Sequence, residues 1–188
     1  MFLVVWASAA FGQGWVTFQN SGNIFNDRGP PPDRLVYFGE VGGEKLVGTN
    51  YAAALYYTLP DSTDLIPVPG AIRLFRLPTT TLPGTWNTQP TAGIILPGVT
   101  YYSFAPTTLQ VRVWDIQRFE TWEAALAGGG LHGESLPFLY FVPYILDHPS
   151  LFALNNLRAF AVIPEPSVFG LGLLGVGVWW LLRRRLRT

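Results

Sequence analysis

The chain of 188 residues contains no cysteine, which excludes disulfide bonds, thiolate metal sites and cysteine nucleophiles. Its two histidines are His132, in a glycine-rich stretch, and His148, and neither has a second histidine at the spacing of a zinc site. We therefore expect exposed loop histidines, no bound metal and no cofactor. A fold without cross-links must be held together by its hydrophobic core alone.

Charge is also scarce, at 13% of residues, and its distribution argues against nucleic-acid binding. The formal net charge of zero arises because four of the 12 basic residues follow residue 182. Residues 1–163 carry eight basic and eleven acidic side chains, a net charge of −3. Without a basic patch, no nucleic-acid partner is predicted.

Catalytic motifs are missing as well, and no catalytic residue is predicted. Ser135 lies in the run 133–137 (GESLP), which lacks the second glycine of a nucleophile elbow and predicts a turn into a strand. Paired carboxylates can cleave a glycosidic bond or bind calcium, but the acidic residues here follow neither motif. We interpret them as solvated carboxylates near a helix start. They are Asp115, Glu120, Glu123 and Glu134.

Strands and turns dominate the predicted body, because glycine, proline, threonine, valine and aromatic residues are frequent while lysine and glutamate are rare. Leu109, Val111 and Val113 alternate with other residues at the period of a strand buried on one face. Pairs such as Pro69-Gly70 and Pro97-Gly98 predict turns. We expect a mainly β fold, an antiparallel β-sandwich with one short helix. The predicted strands are 15–19, 35–41, 45–47, 52–58, 71–77, 94–96, 100–104, 108–114, 137–142 and 157–162.

The single helix is predicted from Glu120 or Thr121 to Ala127, capped by Thr121 and ended by the glycines 128–130. Nearby aromatic residues either fill the core or form an exposed platform for sugar rings. Arg112, beside Trp114 on the outward face of its strand, favours the platform locally. The speculative glycan contacts are therefore Trp86, Arg112 and Trp114. The full aromatic set is Trp86, Tyr101, Tyr102, Trp114 and Trp122.

The first ten residues are apolar and rich in small side chains, and Ala10-Phe11-Gly12 fits a small-x-small cleavage site before Gln13. We predict a secretory signal peptide over residues 1–12. No lysine or arginine precedes the apolar run, so a longer signal with an upstream start codon is one alternative. A buried first strand is the other.

Residues 168–182 form an uncharged run of 15 residues near the other end. As a helix the run covers about 22 Å of the roughly 30 Å hydrocarbon core, so residues 167–182 are predicted to span a locally thinned bilayer. Trp179 and Trp180 suit the membrane interface. The positive-inside rule keeps the basic end in the cytoplasm and exports the chain before Pro164. The basic residues are Arg183, Arg184, Arg185 and Arg187.

Directly before this run stands the triplet Pro164-Glu165-Pro166. The triplet, the Gly/Leu-rich span and the arginine-rich tail 183–188 together resemble the PEP-CTERM sorting signal of Gram-negative bacteria. The resemblance covers about 25 residues, 164–188. It implies that a membrane enzyme, exosortase, recognises Glu165 between its prolines and removes the tail during sorting to the surface or matrix. A retained membrane anchor is one alternative, and a buried helix of a soluble protein, which the four terminal arginines fit poorly, is the other.

The body, residues 13–163, carries a softer resemblance to small PEP-CTERM proteins of the Verrucomicrobia type. The matching segments are Gly14-x-Val16-x-Phe18-x-Asn20, 48–56, and 110–115 followed by 123–125. Such bodies have no assigned activity, so the resemblance implies a shared β-rich fold and no mechanism.

Together these observations predict an exported, non-enzymatic protein of the cell surface or extracellular matrix. Its expected partners are exosortase, as the processing enzyme, and the inner membrane, through the C-terminal helix. One alternative is an exopolysaccharide-binding module or adhesin that uses exposed aromatics. A second alternative is an exported glycan hydrolase.

Overall fold

The structure is a computed structural model that describes residues 13–22, 24–25, 30–88, 93–100, 106–143 and 152–163. Within these ranges no helix is long and apolar enough to cross a membrane. The predicted signal peptide over 1–12 and the predicted transmembrane helix over 167–182 lie outside them.

The described part of the chain is mainly β with one short helix, as predicted. The helix, α1, covers Trp122–Ala127, and Thr121 caps it as the sequence indicated. The strands are β1 Gln13–Thr17, β2 Val36–Phe38, β3 Glu44–Lys45, β4 Tyr51–Thr58, β5 Leu65–Leu74, β6 Gly93–Thr100, β7 Thr107–Asp115, β8 His132–Glu134, β9 Phe138–Tyr140 and β10 Phe160–Val162.

Two predicted turns are wrong, because Pro69-Gly70 lies inside β5 and Pro97-Gly98 lies inside β6. Both pairs form irregularities in strands that continue beyond them, since the register of each strand shifts at that point. Gly70 and Gly98 have φ values of 71° and 75°, which glycine adopts without strain. Each Pro-Gly pair therefore does change the direction of the backbone, but it produces a bulge within a strand instead of ending the strand.

The strands form three sheets that are antiparallel except for one pair. The largest has the order β5-β4-β7-β8, with β9 also paired to β7. The second has the order β10-β2-β3, in which β10 and β2 run parallel. The third consists of β1 and β6.

Backbone hydrogen bonds join the two larger sheets at both sides. On one side His132 and Ile163 exchange N–H···O bonds of 2.9 and 3.4 Å, which connects β8 to the end of β10. On the other side Phe75, just after β5, forms an isolated bridge with Trp86. The neighbouring Gly84 donates to the carbonyl of Leu46, the residue after β3, at 2.9 Å. The two sheets, together with β1 and β6, thus enclose one main core.

Asn20 fixes the segments around that core from a buried position, with 4% of its surface exposed. Its side-chain amide donates to the carbonyls of Arg34 and Gly84 at 3.0 and 2.9 Å. Its oxygen accepts from the Trp86 backbone N–H at 3.4 Å. One side chain therefore satisfies three buried backbone groups on two separate segments, around residue 34 and over residues 84–86.

We predict that Asn20→Ala lowers the free energy of unfolding by about 2–4 kcal/mol, because the buried Arg34 carbonyl and the Trp86 N–H each lose the side-chain partner, and the Gly84 carbonyl keeps only the Val36 N–H. Urea unfolding followed by tryptophan fluorescence measures the change. Gln19→Ala is the matched control, since Gln19 is only partly buried and bonds the carbonyl of Ser21. Equal losses for the two variants would show that Asn20 has no special structural role.

Candidate functional site

Arg112 is the centre of a cluster of charged and aromatic side chains from four elements, β4, β7, β8 and α1. The register of β4 and β7 places it opposite Ala54 and next to Tyr56 on the face that α1 covers. Its guanidinium carbon lies 4.2 Å from the centre of the Tyr56 ring and 4.1 Å from that of Trp122. The Arg112 side chain consequently joins β7, β4 and α1 through cation–π contacts.

Two carboxylates complete the arrangement from different elements. Glu123 of α1 lies 3.2 Å from the Arg112 guanidinium, and Glu134, its partner across β7 and β8, lies 3.5 Å from it. The Arg112 side chain is 15% exposed, whereas the two glutamates are 55% and 47% exposed. We call these five residues, Tyr56, Arg112, Trp122, Glu123 and Glu134, the Arg112 cluster.

Tyr56 also contacts a carboxylate of this cluster. Its hydroxyl donates to Oε1 of Glu123 at 2.9 Å. Burial and this bond to Glu123 raise the pKa of Tyr56 to about 12, although the Arg112 charge acts in the opposite direction. The phenol therefore stays protonated and serves as a hydrogen-bond donor.

Two side-chain hydrogen bonds fix the start of α1, one within the helix and one to β8. Thr121 accepts from the backbone N–H of Ala124 at 3.1 Å. The indole N–H of Trp122 donates to the carbonyl of Gly133 at 3.2 Å, which attaches α1 to β8. After the helix, a Cβ at Gly130 would collide with the ring of Phe119, so this glycine allows the loop to close over that ring.

Of the two alternatives for the aromatic residues, the exposed platform is wrong for Trp86 and Trp114, which are 0% and 1% exposed and are therefore buried. Trp86 packs between Phe18 and Phe75, with ring centres 4.9 and 6.2 Å away. Trp114 does lie on the face of β7 that was predicted to point outward, but α1 and the loop before it cover that face. The Arg112 side chain beside it is likewise mostly covered. Trp122 is buried too, and Tyr101 and Tyr102 lie outside the described residues.

Ser135 occupies the predicted connection between two strands. It is buried, accepts from the N–H of Val111 at 3.0 Å and donates to the carbonyl of Leu136 at 3.0 Å. His132 begins β8 and is half-buried, so its prediction as an exposed loop residue is wrong. Its Nδ1 lies 2.8 Å from the carbonyl oxygen of Gly130. His148 lies outside the described residues.

The predicted acidic group is divided between two places. Glu123 and Glu134 meet at Arg112, whereas a carboxylate oxygen of Asp115 accepts from the N–H groups of Gln117 and Arg118 at 3.1 and 3.3 Å. Glu120 is exposed at the start of the helix. Across the described ranges, no three His, Cys, Asp or Glu side chains come together in a way that could hold a metal ion.

Of the residues predicted for signal cleavage and sorting, the structure describes only Gln13. Gln13, the first residue after the predicted signal, begins β1. Ala10 and Gly12 before it, and all of 164–188, lie outside the described residues. Sequence reasoning did not identify Tyr56 as a site residue, because a tyrosine in an apolar strand resembles an ordinary core residue.

We predict that the ring contacts of Arg112 stabilise the fold more than its ion pairs. Arg112→Met should lower the free energy of unfolding by about 1–3 kcal/mol, because both cation–π contacts disappear together with the two half-exposed ion pairs. Glu123→Gln should cost less than about 1 kcal/mol, as expected of a half-exposed ion pair. Chemical denaturation measures both values. Arg118→Met is the control, because the Arg118 guanidinium lies farther from a ring, 5.9 Å from the centre of Phe119. A Glu123→Gln loss as large as that of Arg112→Met would contradict this ranking.

Alkaline pH should weaken the fold through Tyr56. Its folded pKa of about 12 exceeds the unfolded value of 10.0, so its stabilising effect is complete below pH 10 and is lost as the pH rises towards 12. Tyr56→Phe should reduce this loss. Absorbance titration of the phenolates, together with unfolding curves across the same range, tests the prediction. An identical pH profile for the variant would contradict it.

The chain matches no protein-family model, no curated protein and no solved structure.

Proposed function

We propose that this protein is an exported, non-enzymatic β-sandwich protein that carries a C-terminal sorting signal for a membrane protease of the exosortase type. The observation that carries the proposal is the three-part order of the C-terminus. Pro164-Glu165-Pro166 is followed by the apolar run 168–182 and then by four arginines. After cleavage, the body would be released to the cell surface or extracellular matrix.

The position of the triplet relative to β10 supports this proposal. β10 ends at Val162, and the next residue, Ile163, exchanges backbone hydrogen bonds with His132. A cut within Pro164–Pro166 would therefore leave β10 and its contacts intact. Proline at 164 and 166 favours an extended backbone, the conformation in which proteases usually accept a substrate.

The contacts inside the body agree with a structural role for its polar residues. The Ser135 hydroxyl is bonded to backbone groups on both sides, and Glu123 and Glu134 share the Arg112 guanidinium. These side chains hold strands and helix together, which is what a stable exported domain without disulfides requires. The glycan-binding alternative receives no support from Trp86 or Trp114, because both are buried.

Intact mass spectrometry of membrane and medium fractions from the native host tests the proposal. We expect a mature species that starts near Gln13, ends near Pro164 and disappears when the exosortase gene is deleted.

Two variants test the role of Glu165. Glu165→Ala should leave an unprocessed, membrane-bound precursor. The control Glu120→Ala, which changes an exposed carboxylate of the body, should be processed normally. A species that keeps 183–188 in the membrane with or without the enzyme would show a permanent anchor instead.

A further inference from the structure

An open cavity of about 350 Å³ lies between the chain after β1, the segment before β2, β3 and the loop around Leu82. Its size falls at the lower end of the range of small-molecule sites, about 300–1,000 Å³. It is separate from the Arg112 cluster, with which it shares no lining residue.

The floor of the cavity is rigid. Asn20 uses its side-chain atoms in the three backbone contacts described above. Arg34 is 5% exposed, donates to the carbonyl of Asn155 at 2.9 Å and lies 4.0 Å from the centre of the Phe25 ring. The Thr85 hydroxyl donates to the carbonyl of Leu82 at 2.7 Å. A ligand would therefore meet a preformed surface.

The walls of the cavity consist of proline and leucine side chains together with two hydroxyl groups. Pro32 and Pro83 have fixed φ angles and lack a backbone N–H, and Leu82 is 44% exposed. Ser21 and Thr81 also line the cavity, and within the described part of the chain neither hydroxyl forms a hydrogen bond. Apolar walls with a few oriented polar groups are typical of a small-molecule site.

Lys45, the single lysine of the chain, lines this cavity. It is exposed, and among the described basic residues it alone has no hydrogen bond, ion pair or aromatic contact. Its ammonium group could therefore bind a ligand without giving up a contact within the protein.

The charges around the cavity favour an anion. Arg34 and Lys45 contribute two positive charges, and Asp33 contributes one negative charge. The Asp33 carboxylate is already engaged, because it accepts from the hydroxyl of Tyr37 at 2.6 Å and from the N–H of Leu35 at 2.8 Å. This positive balance contrasts with the net charge of −3 over residues 1–163.

We propose that the cavity binds a small, ring-shaped, hydroxylated carboxylate, the chemistry of a hexuronic acid unit. Lys45 pairs with the carboxylate, the hydroxyls of Ser21 and Thr81 bond the ring hydroxyls, and the apolar face of the ring packs against the prolines and Leu82. The proposal goes beyond the sorting function and does not depend on it, so either can fail without the other.

The single lysine provides a direct test. The full-length chain in detergent micelles is acetylated with an amine-reactive reagent. The reaction is run without sugar and with galacturonate, galactose or trigalacturonate. Peptide mass spectrometry measures the extent of acetylation at Lys45. We expect galacturonate to slow this modification at least threefold and galactose to leave it unchanged, with the N-terminal amine as internal reference. Stronger protection by the trimer would indicate a polymeric source of the unit, and equal protection a free acid.

Ligand-observed NMR with galacturonate on variants identifies the residue responsible. Lys45→Gln should reduce the saturation-transfer signal at least fivefold, and Lys45→Arg should retain most of it. Glu44→Gln, on the neighbouring residue of β3, raises the net charge without touching the cavity lining and should leave the signal unchanged. Full modification of Lys45 under all three sugars, equal protection by galactose, or an unchanged signal in Lys45→Gln would overturn the proposal.

Discussion

The antiparallel pairing of β4 with β7 is the interaction on which the rest of the described structure depends. Seven residues of β4, Tyr51–Tyr57, pair in unbroken register with Asp115–Leu109. Both faces of this pair are buried, one by the main core and the other by α1. Because side chains alternate along a strand, every residue of the pair is committed to one of two environments, and a one-residue slip would exchange them.

The second face explains why an arginine lies in the middle of the sheet. Alanines at 52 and 54 leave space on β4, which Trp114 and Trp122 fill, and Arg112 lies over the rings beside them. A guanidinium covered to this extent requires partners, and the rings and two carboxylates supply them. The charged side chains of the Arg112 cluster thus help to attach the helix to the sheet.

The sequence predicted the strand character of the body, the helix with its Thr121 cap, and the inward face of β7 at Leu109, Val111 and Val113. It could not predict that the other face is also covered, because Gln110 and Arg112 are polar and follow the pattern of a solvated surface. It also misjudged Pro69-Gly70 and Pro97-Gly98, since turn chemistry and strand bulges use the same residues. The role of Asn20 depends on contacts with residues 34, 84 and 86, which no local pattern encodes.

Native-state hydrogen exchange of the full-length chain tests the central claim, that the β4–β7 pair is buried on both faces, most directly. We predict that the amides of Ala53, Leu55, Val111 and Val113 exchange only through global unfolding, and that removing the helix contact with Trp122→Ala lowers the protection of all of them by the same factor. Rapid exchange of these amides in the unmodified chain, at rates similar to those of the loop around Asp61, would contradict the account.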